Sequence, residues 1–180
     1  MLRASGAVSF LAQGEIQLAR LHLSRGDHEA AEQLGAAVAE RLLGLGKATT
    51  ALEASHVQAD AMIREGRPQE ALHVIDAAER AASTEAASAL PRICLQRSRA
   101  LLALGRFLEA EELVETGVVA ARETQLPYDE ALLLRVLSRV RRHEGDVEGS
   151  DRAWDDAQRL LASLGARAVS PAPSDAVAGA

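Results

Sequence analysis

Gly44, Leu45, Gly46, Lys47, Ala48 and Thr49 form part of the pattern of a phosphate-binding loop. In such a loop, backbone N–H groups and the lysine hold phosphate oxygens. The pattern also needs a glycine where Arg41 stands and a Ser or Thr where Ala48 stands. It should follow a strand, and here it follows a helical pattern. Leu164-Gly165 repeats Leu45-Gly46, so the segment reads as a helix end and a turn. Glu70 and His73 have the Glu-x-x-His spacing of carboxylate-bridged metal sites in helix bundles. That chemistry needs a second copy and two further carboxylates from facing helices, and the chain has no second copy. His22, His28, His56, His73 and His143 do not fall at metal-ligand spacing. Cys94 is the only cysteine, and it lies on an apolar helix face without a basic partner, which predicts a buried, inert thiol. No nucleophile, base and orienting group come together. The sequence therefore predicts no catalytic residue, no metal and no cofactor, and an enzyme is not expected.

The other chemically capable set is arginine. Arg135, Arg139 and Arg142 stand at i, i+4 and i+7, on one helix face within ~10 Å of rise. Arg92 and Arg99 repeat the seven-residue step. Guanidinium forks suit carboxylates and phosphates through paired hydrogen bonds. Leu95, Leu102 and Leu132 lie among them and offer an apolar anchor. The competing interpretation is a solvated charged face whose arginines pair with nearby carboxylates; exposed pairs contribute only ~0–1 kcal/mol.

The elements that position these residues are helices. Ala100, Leu101 and Leu104 recur at helical spacing before Gly105-Arg106, and Phe107, Ala110, Leu113, Val114, Gly117, Val118 and Ala121 do so after it. Matching turns stand at Gly26-Asp27, Gly66-Arg67, Gly105-Arg106 and Gly145-Asp146, separated by 40, 39 and 40 residues. A fixed period of this size is the signature of a solenoid, in which each unit covers its neighbour's apolar face. The prediction is all-α: four helix hairpins over about 7–45, 48–82, 90–123 and 128–163, within one repeat domain of residues 1–166. Residues 167–180 contain two prolines and no periodicity, and read as a disordered tail. Ser5 is a candidate cap for the first helix.

The 180-residue chain has a net charge of −6, which disfavours broad attraction to nucleic acid. Four aromatic residues provide few stacking platforms for bases. No apolar run is long enough for a membrane span. One cysteine fits a reducing compartment, and the expected location is cytoplasmic.

The pattern resembles the tetratricopeptide repeat. Small residues stand seven positions before each turn glycine, at Ala19, Ala59, Ser98 and Ser138. The family's early second-helix alanine matches Ala31, Ala71 and Ala110, with Ser150 in the fourth unit. Its large residue four positions later matches Ile75, Val114 and Trp154, with Gly35 the departure. The longer period resembles the helical-repeat regions of large bacterial signal-transduction ATPases, nucleotide cyclases and LuxR-type regulators. The resemblance implies a right-handed superhelix whose first helices line a concave groove. Carried over, the groove positions of the last two hairpins are Arg92, Leu95, Arg99, Leu102, Leu132, Arg135, Arg139, Arg142 and His143: five arginines and no carboxylate. A secondary groove holds Arg20, His56, Asp60 and Arg64, with Ile16 and Leu23 also facing it.

The function expected from this is a non-catalytic scaffold that binds an acidic segment of a protein or peptide partner. The alternative is a sensory or regulatory module, part of a larger bacterial regulator or cyclase, that binds a small ligand or its own effector domain. The first hairpin begins almost at the chain end, so an N-terminal module, a partner or a second copy in a homodimer is expected to cover part of it. Nucleic acid and membrane are not expected partners.

Overall fold

The computed structural model describes residues 2–82 and 89–165, with side chains from residue 9 onward. The tail expected at 167–180 lies outside the described residues. These residues form eight helices and no strand: α1 (Leu2–Arg25), α2 (His28–Gly44), α3 (Ala48–Arg64), α4 (Pro68–Ala82), α5 (Leu90–Ala103), α6 (Phe107–Glu123), α7 (Pro127–Glu144) and α8 (Val147–Ser163). The first helix runs through Ser5 rather than being capped by it. No described helix is long and apolar enough to cross a membrane.

The odd-numbered helices end for a local reason. Gly26, Gly66, Gly105 and Gly145 all take positive φ, between 72° and 85°. The next residue then donates its N–H five residues back, at the same place in all four turns: Asp27 to His22, Arg67 to Met62, Arg106 to Leu101 and Asp146 to Arg141, at 2.9–3.0 Å. This bond satisfies a carbonyl that the helix end leaves open. A second set of turns follows the even-numbered helices. Lys47 donates to Leu42 around Gly46, and Leu126 donates to Ala121 around Gln125, both at 2.9 Å. Gln125 holds φ 54°, the single positive φ among described non-glycine residues, where the other turn has Gly46 at 68°. The left-handed region crowds a Cβ against the backbone, so Gln125 carries a small conformational cost there.

Consecutive helices pack on each other, and the odd-numbered ones also touch: α1 on α3, α3 on α5, α5 on α7. One apolar cluster joins α1, α2 and α3 through Ala12, Ile16, Val38, Leu42 and Ala54. A second joins α5 to α8, with Leu72 reaching in from α4. A small third cluster of Ala59, Met62, Ala71 and Ile75 sits between α3 and α4. Alanine and glycine let the backbones approach. A Cβ on Gly35 would lie 3.0 Å from the Ala54 carbonyl oxygen and 3.0 Å from the Gln58 nitrogen. Gly35 is therefore no gap in the first helix pair. It is the point where α2 rests on the backbone of α3. Gly117 plays the same part against Cys94 and Leu133.

The two ends differ. Ile16 and Leu23 are core residues of α1, at 1% and 7% exposure. The apolar side chains α1 leaves in solvent are instead Phe10, Leu11, Leu18 and Leu21. Counted from the turn glycine, Leu11 and Leu21 occupy the positions of Ala51 and Ala61, which are buried in α3. At the other end, α8 exposes Asp151, Arg152, Asp155 and Arg159, a charged surface.

Candidate functional site

An open groove of about 520 Å³ runs across α1, α3, α5 and α7. Its wall is made by Gln17, Arg20, Leu23 and Ser24 from α1, and by His56, Val57, Asp60 and Arg64 from α3. From α5 come Arg92, Leu95, Gln96 and Arg99, and from α7 Tyr128, Asp129, Leu132 and Arg135. The groove crosses the helices obliquely. Ser24 lies two residues before the turn glycine of its helix, whereas Arg135 lies ten before its own and Tyr128 seventeen. Each successive odd helix thus presents a more N-terminal stretch.

This drift decides which expected residues meet. Arg20, His56, Asp60, Arg64, Arg92, Leu95, Arg99, Leu132 and Arg135 share the groove. Leu102 does not line it; it is buried in the core of α5 to α8. Arg142 and His143 lie too near the C-terminal end of α7 to line it. Arg142 pairs with Asp151 at 2.8 Å, and the His143 ring stacks on Phe107 with centroids 4.8 Å apart. Arg139, expected in the groove, does not line it; it lies one turn beyond Arg135 at its edge, close enough for their charges to oppose each other. The expectation of no carboxylate in this half is corrected. Asp129, in the first turn of α7 and 4% exposed, accepts from Arg92 at 3.2 Å. The same drift brings this residue in, because the groove reaches the start of α7 and not its end.

The charges are largely matched. Arg92 also lies 3.9 Å from Glu53, which is 3.8 Å from Arg20. Asp60 holds Arg99 and Arg64, each at 3.3 Å. Arg135 and Arg139 have no carboxylate partner among the described residues. Arg135 instead lies over the Trp154 ring at 5.4 Å, a cation–π contact that fixes its direction. Trp154 is thus half-buried beneath a guanidinium. Burial, then Arg99, lowers the pKa of both Arg135 and Arg139 below the usual arginine range. Burial, then Arg92, does the same to Arg20. Burial, then Arg92 and Arg20, pushes His56 down to about 4. An anion entering here would relieve the crowding of like charges.

Sequence spacing missed Gln17, Val57 and Gln96. All three stand nine residues before their turn glycine, so a common register was present in the sequence. It lies one residue from the position occupied by His56 and Leu95.

The other chemically suggestive segments do not assemble a site. Gly46 closes α2, and Lys47 donates to Ser9 Oγ at 2.9 Å. Glu70 and His73 are both exposed, and no group of His, Cys, Asp and Glu among the described residues could hold a metal. Cys94 is buried against Gly117, and burial pushes its thiol up to about 11, too high for a thiolate at neutral pH. A second cleft beside α4, α5 and α6 is lined by Asp76, Arg97, Arg106 and Glu109, whose charges are paired with one another. No protein-family model matches the chain, and no curated protein matches it.

Proposed function

We propose that this chain is a non-catalytic α-solenoid of four helix hairpins, with the right-handed, tetratricopeptide-like superhelix, and that it binds an acidic segment of a partner protein in its groove. The observation that carries this reading is the uneven pairing of the arginines. Arg20, Arg64, Arg92 and Arg99 are anchored by Glu53, Asp60 and Asp129. Arg135 and Arg139 are left for an incoming carboxylate. Leu95 and Leu132 beside them supply apolar contact. Bidentate guanidinium–carboxylate bonds in a partly desolvated groove are stronger than exposed pairs.

The test uses a fluorescein-labelled peptide alternating Glu and Leu, with anisotropy read at low and high salt. Binding is expected to weaken with salt, as for contacts between exposed charges. Arg135→Glu with Arg139→Glu is expected to weaken it by at least about tenfold, corresponding to ~1.4 kcal/mol. A folded double variant that binds the peptide as the natural chain does would remove the groove as the site. The exposed strip of Phe10, Leu11, Leu18 and Leu21 supports a further contact at the α1 end, with a second copy or an adjoining module. A strictly monomeric chain by light scattering would count against the second copy.

A further inference from the structure

We propose that α1 is a self-association face: two copies of the chain pair antiparallel through Phe10, Leu11, Gly14, Leu18 and Leu21. This deepens the reading of the α1 strip as a contact surface and is independent of what the groove binds. The later repeats show that this side of an odd-numbered helix receives another helix. The positions that matter stand twelve and eight residues before the turn glycine. In α3 they are Ala54 and Gln58, which lie against Gly35 of α2. In α5 the second of them is Arg97, which holds Asp76 and Glu79 of α4. In α7 the first is Leu133, which lies against Gly117 of α6. The same two positions in α1 are Gly14 and Leu18, both exposed. Gly14 is a separate sign. Glycine inside a helix costs stability relative to alanine. At Gly35 and Gly117 the reason lies within the chain, because an added Cβ would meet a neighbouring helix at 3.0 Å or less. At Gly14 an added Cβ meets nothing within 4 Å. A close approach from outside the chain supplies the reason there.

The shape and charge of the strip select the occupant. Leu11, Gly14, Leu18 and Leu21 are spaced by three, four and three residues, the alternation of a coiled-coil seam. This spacing reads the same in both directions. On an antiparallel second α1, Leu18 of each copy falls opposite Gly14 of the other, and Leu11 opposite Leu21. The large side chain enters the place that glycine leaves open. None of the five residues is charged, and Glu15 at the flank is already paired with Arg41. Other parts of the chain fit less well. The outer face of α8 carries Asp151, Arg152, Asp155 and Arg159, so head-to-tail stacking would bury charges against leucine. Residues 166–180 contain no Leu, Ile, Met or aromatic residue. Among the described residues, no other helix exposes more than two large apolar side chains. A twofold pair, in which one patch covers itself, uses the surface that matches. The seam spans only ~15 Å of helix, so association in the roughly micromolar range is expected.

The test is sedimentation velocity of the natural chain from roughly 1 μM to 500 μM, the range that suits a small interface. The mass is expected to rise from one chain to two. A single-chain mass at every concentration would overturn the proposal. Leu18→Glu, at an exposed position, is expected to weaken pairing at least about tenfold, because each copy then sets a carboxylate against leucine. Undiminished pairing of this variant would overturn the proposal by placing the contact elsewhere. Gly14→Ala is expected to raise Tm in dilute solution and to weaken pairing several-fold; pairing that is unchanged or stronger would overturn the close approach at Gly14. Chains carrying Leu11→Cys and chains carrying Leu21→Cys, mixed and oxidised, test the direction; Cys94 is buried and does not compete. One of each is expected to join, since a disulfide needs Cα atoms within about 7 Å. Two Leu11→Cys chains would have their thiols ~15 Å apart along the seam. Faster joining of Leu11→Cys to itself would show a parallel pair and overturn the arrangement. Leu18→Glu is expected to bind the Glu-Leu peptide as the natural chain does, so a failure of pairing and a failure of the groove are read separately.

Discussion

Where α2 meets α3, the contact is backbone on backbone: Gly35 sits against Ala54 and Gln58, flanked by Ala31, Val38, Leu42 and Ala51. Where α4 meets α5, little apolar surface joins them beyond Leu72, and Arg97 spans the gap instead. It holds Asp76 at 2.5 Å and Glu79 at 2.8 Å. On the groove side, Arg92 to Glu53 and Arg99 to Asp60 cross from α5 to α3 in the same way. The first junction depends on shape and the second on charge. Close packing changes little with salt or pH, whereas partly exposed ion pairs respond to both. The central junction is therefore the adjustable one, and the groove runs across it.

The largest expected effect is at the packed junction. Gly35→Leu inserts a side chain where even a Cβ meets backbone, so it should cost about 3 kcal/mol or more by urea denaturation. Gly14→Ala, with nothing within 4 Å of the added Cβ, should instead gain up to ~1 kcal/mol from helix propensity. If the two variants behaved alike, close approach would not be what holds α2 to α3.

Acid should act on the charged junction. His56 is held near 4 in the folded chain against 6.5 unfolded, so between those values the unfolded chain binds the extra proton. Stability then rises with pH across this window and is lost as pH falls through it, by up to about 3 kcal/mol for this residue. The groups facing His56 are Arg92 and Arg20, whose carboxylate partners are Glu53 and Asp129. His56→Leu should flatten the slope between pH 6.5 and 4; an unchanged slope would place the titration elsewhere.

A smaller effect is expected at Arg97. Its side chain is about one-third exposed, so Arg97→Ala should cost about 1 kcal/mol at low salt and less at high salt. Hydrogen exchange should show the loss on α4 and α5 before α2 and α3. A uniform loss across all helices would erase the distinction between the junctions. The smallest effect is at the turn between α6 and α7, where Gln125→Gly should gain at most ~1 kcal/mol by relieving its positive φ.

What is local could be read from the order of residues alone. Gly26, Gly66, Gly105 and Gly145 mark turns because a positive φ and a single capping bond involve only a few neighbouring residues. Helical spacing around them marks the helices for the same reason. The chain also shows Arg135 and Arg139 on one face, since a helix fixes its own periodicity. The remaining features depend on how the helices pack. Only the way the odd-numbered helices are set beside one another moves the groove toward the start of α7, bringing in Asp129 and leaving out Arg142 and His143. Only the approach of α2 to α3 shows why position 35 is glycine rather than a large residue. Pairing across helices separates the anchored arginines from the unanchored ones, and it leaves His56 and Gln96 buried without partners. Helix period and turn chemistry act over about five residues. Groove register, close approach and charge pairing depend on how helices some forty residues apart in sequence are set against each other.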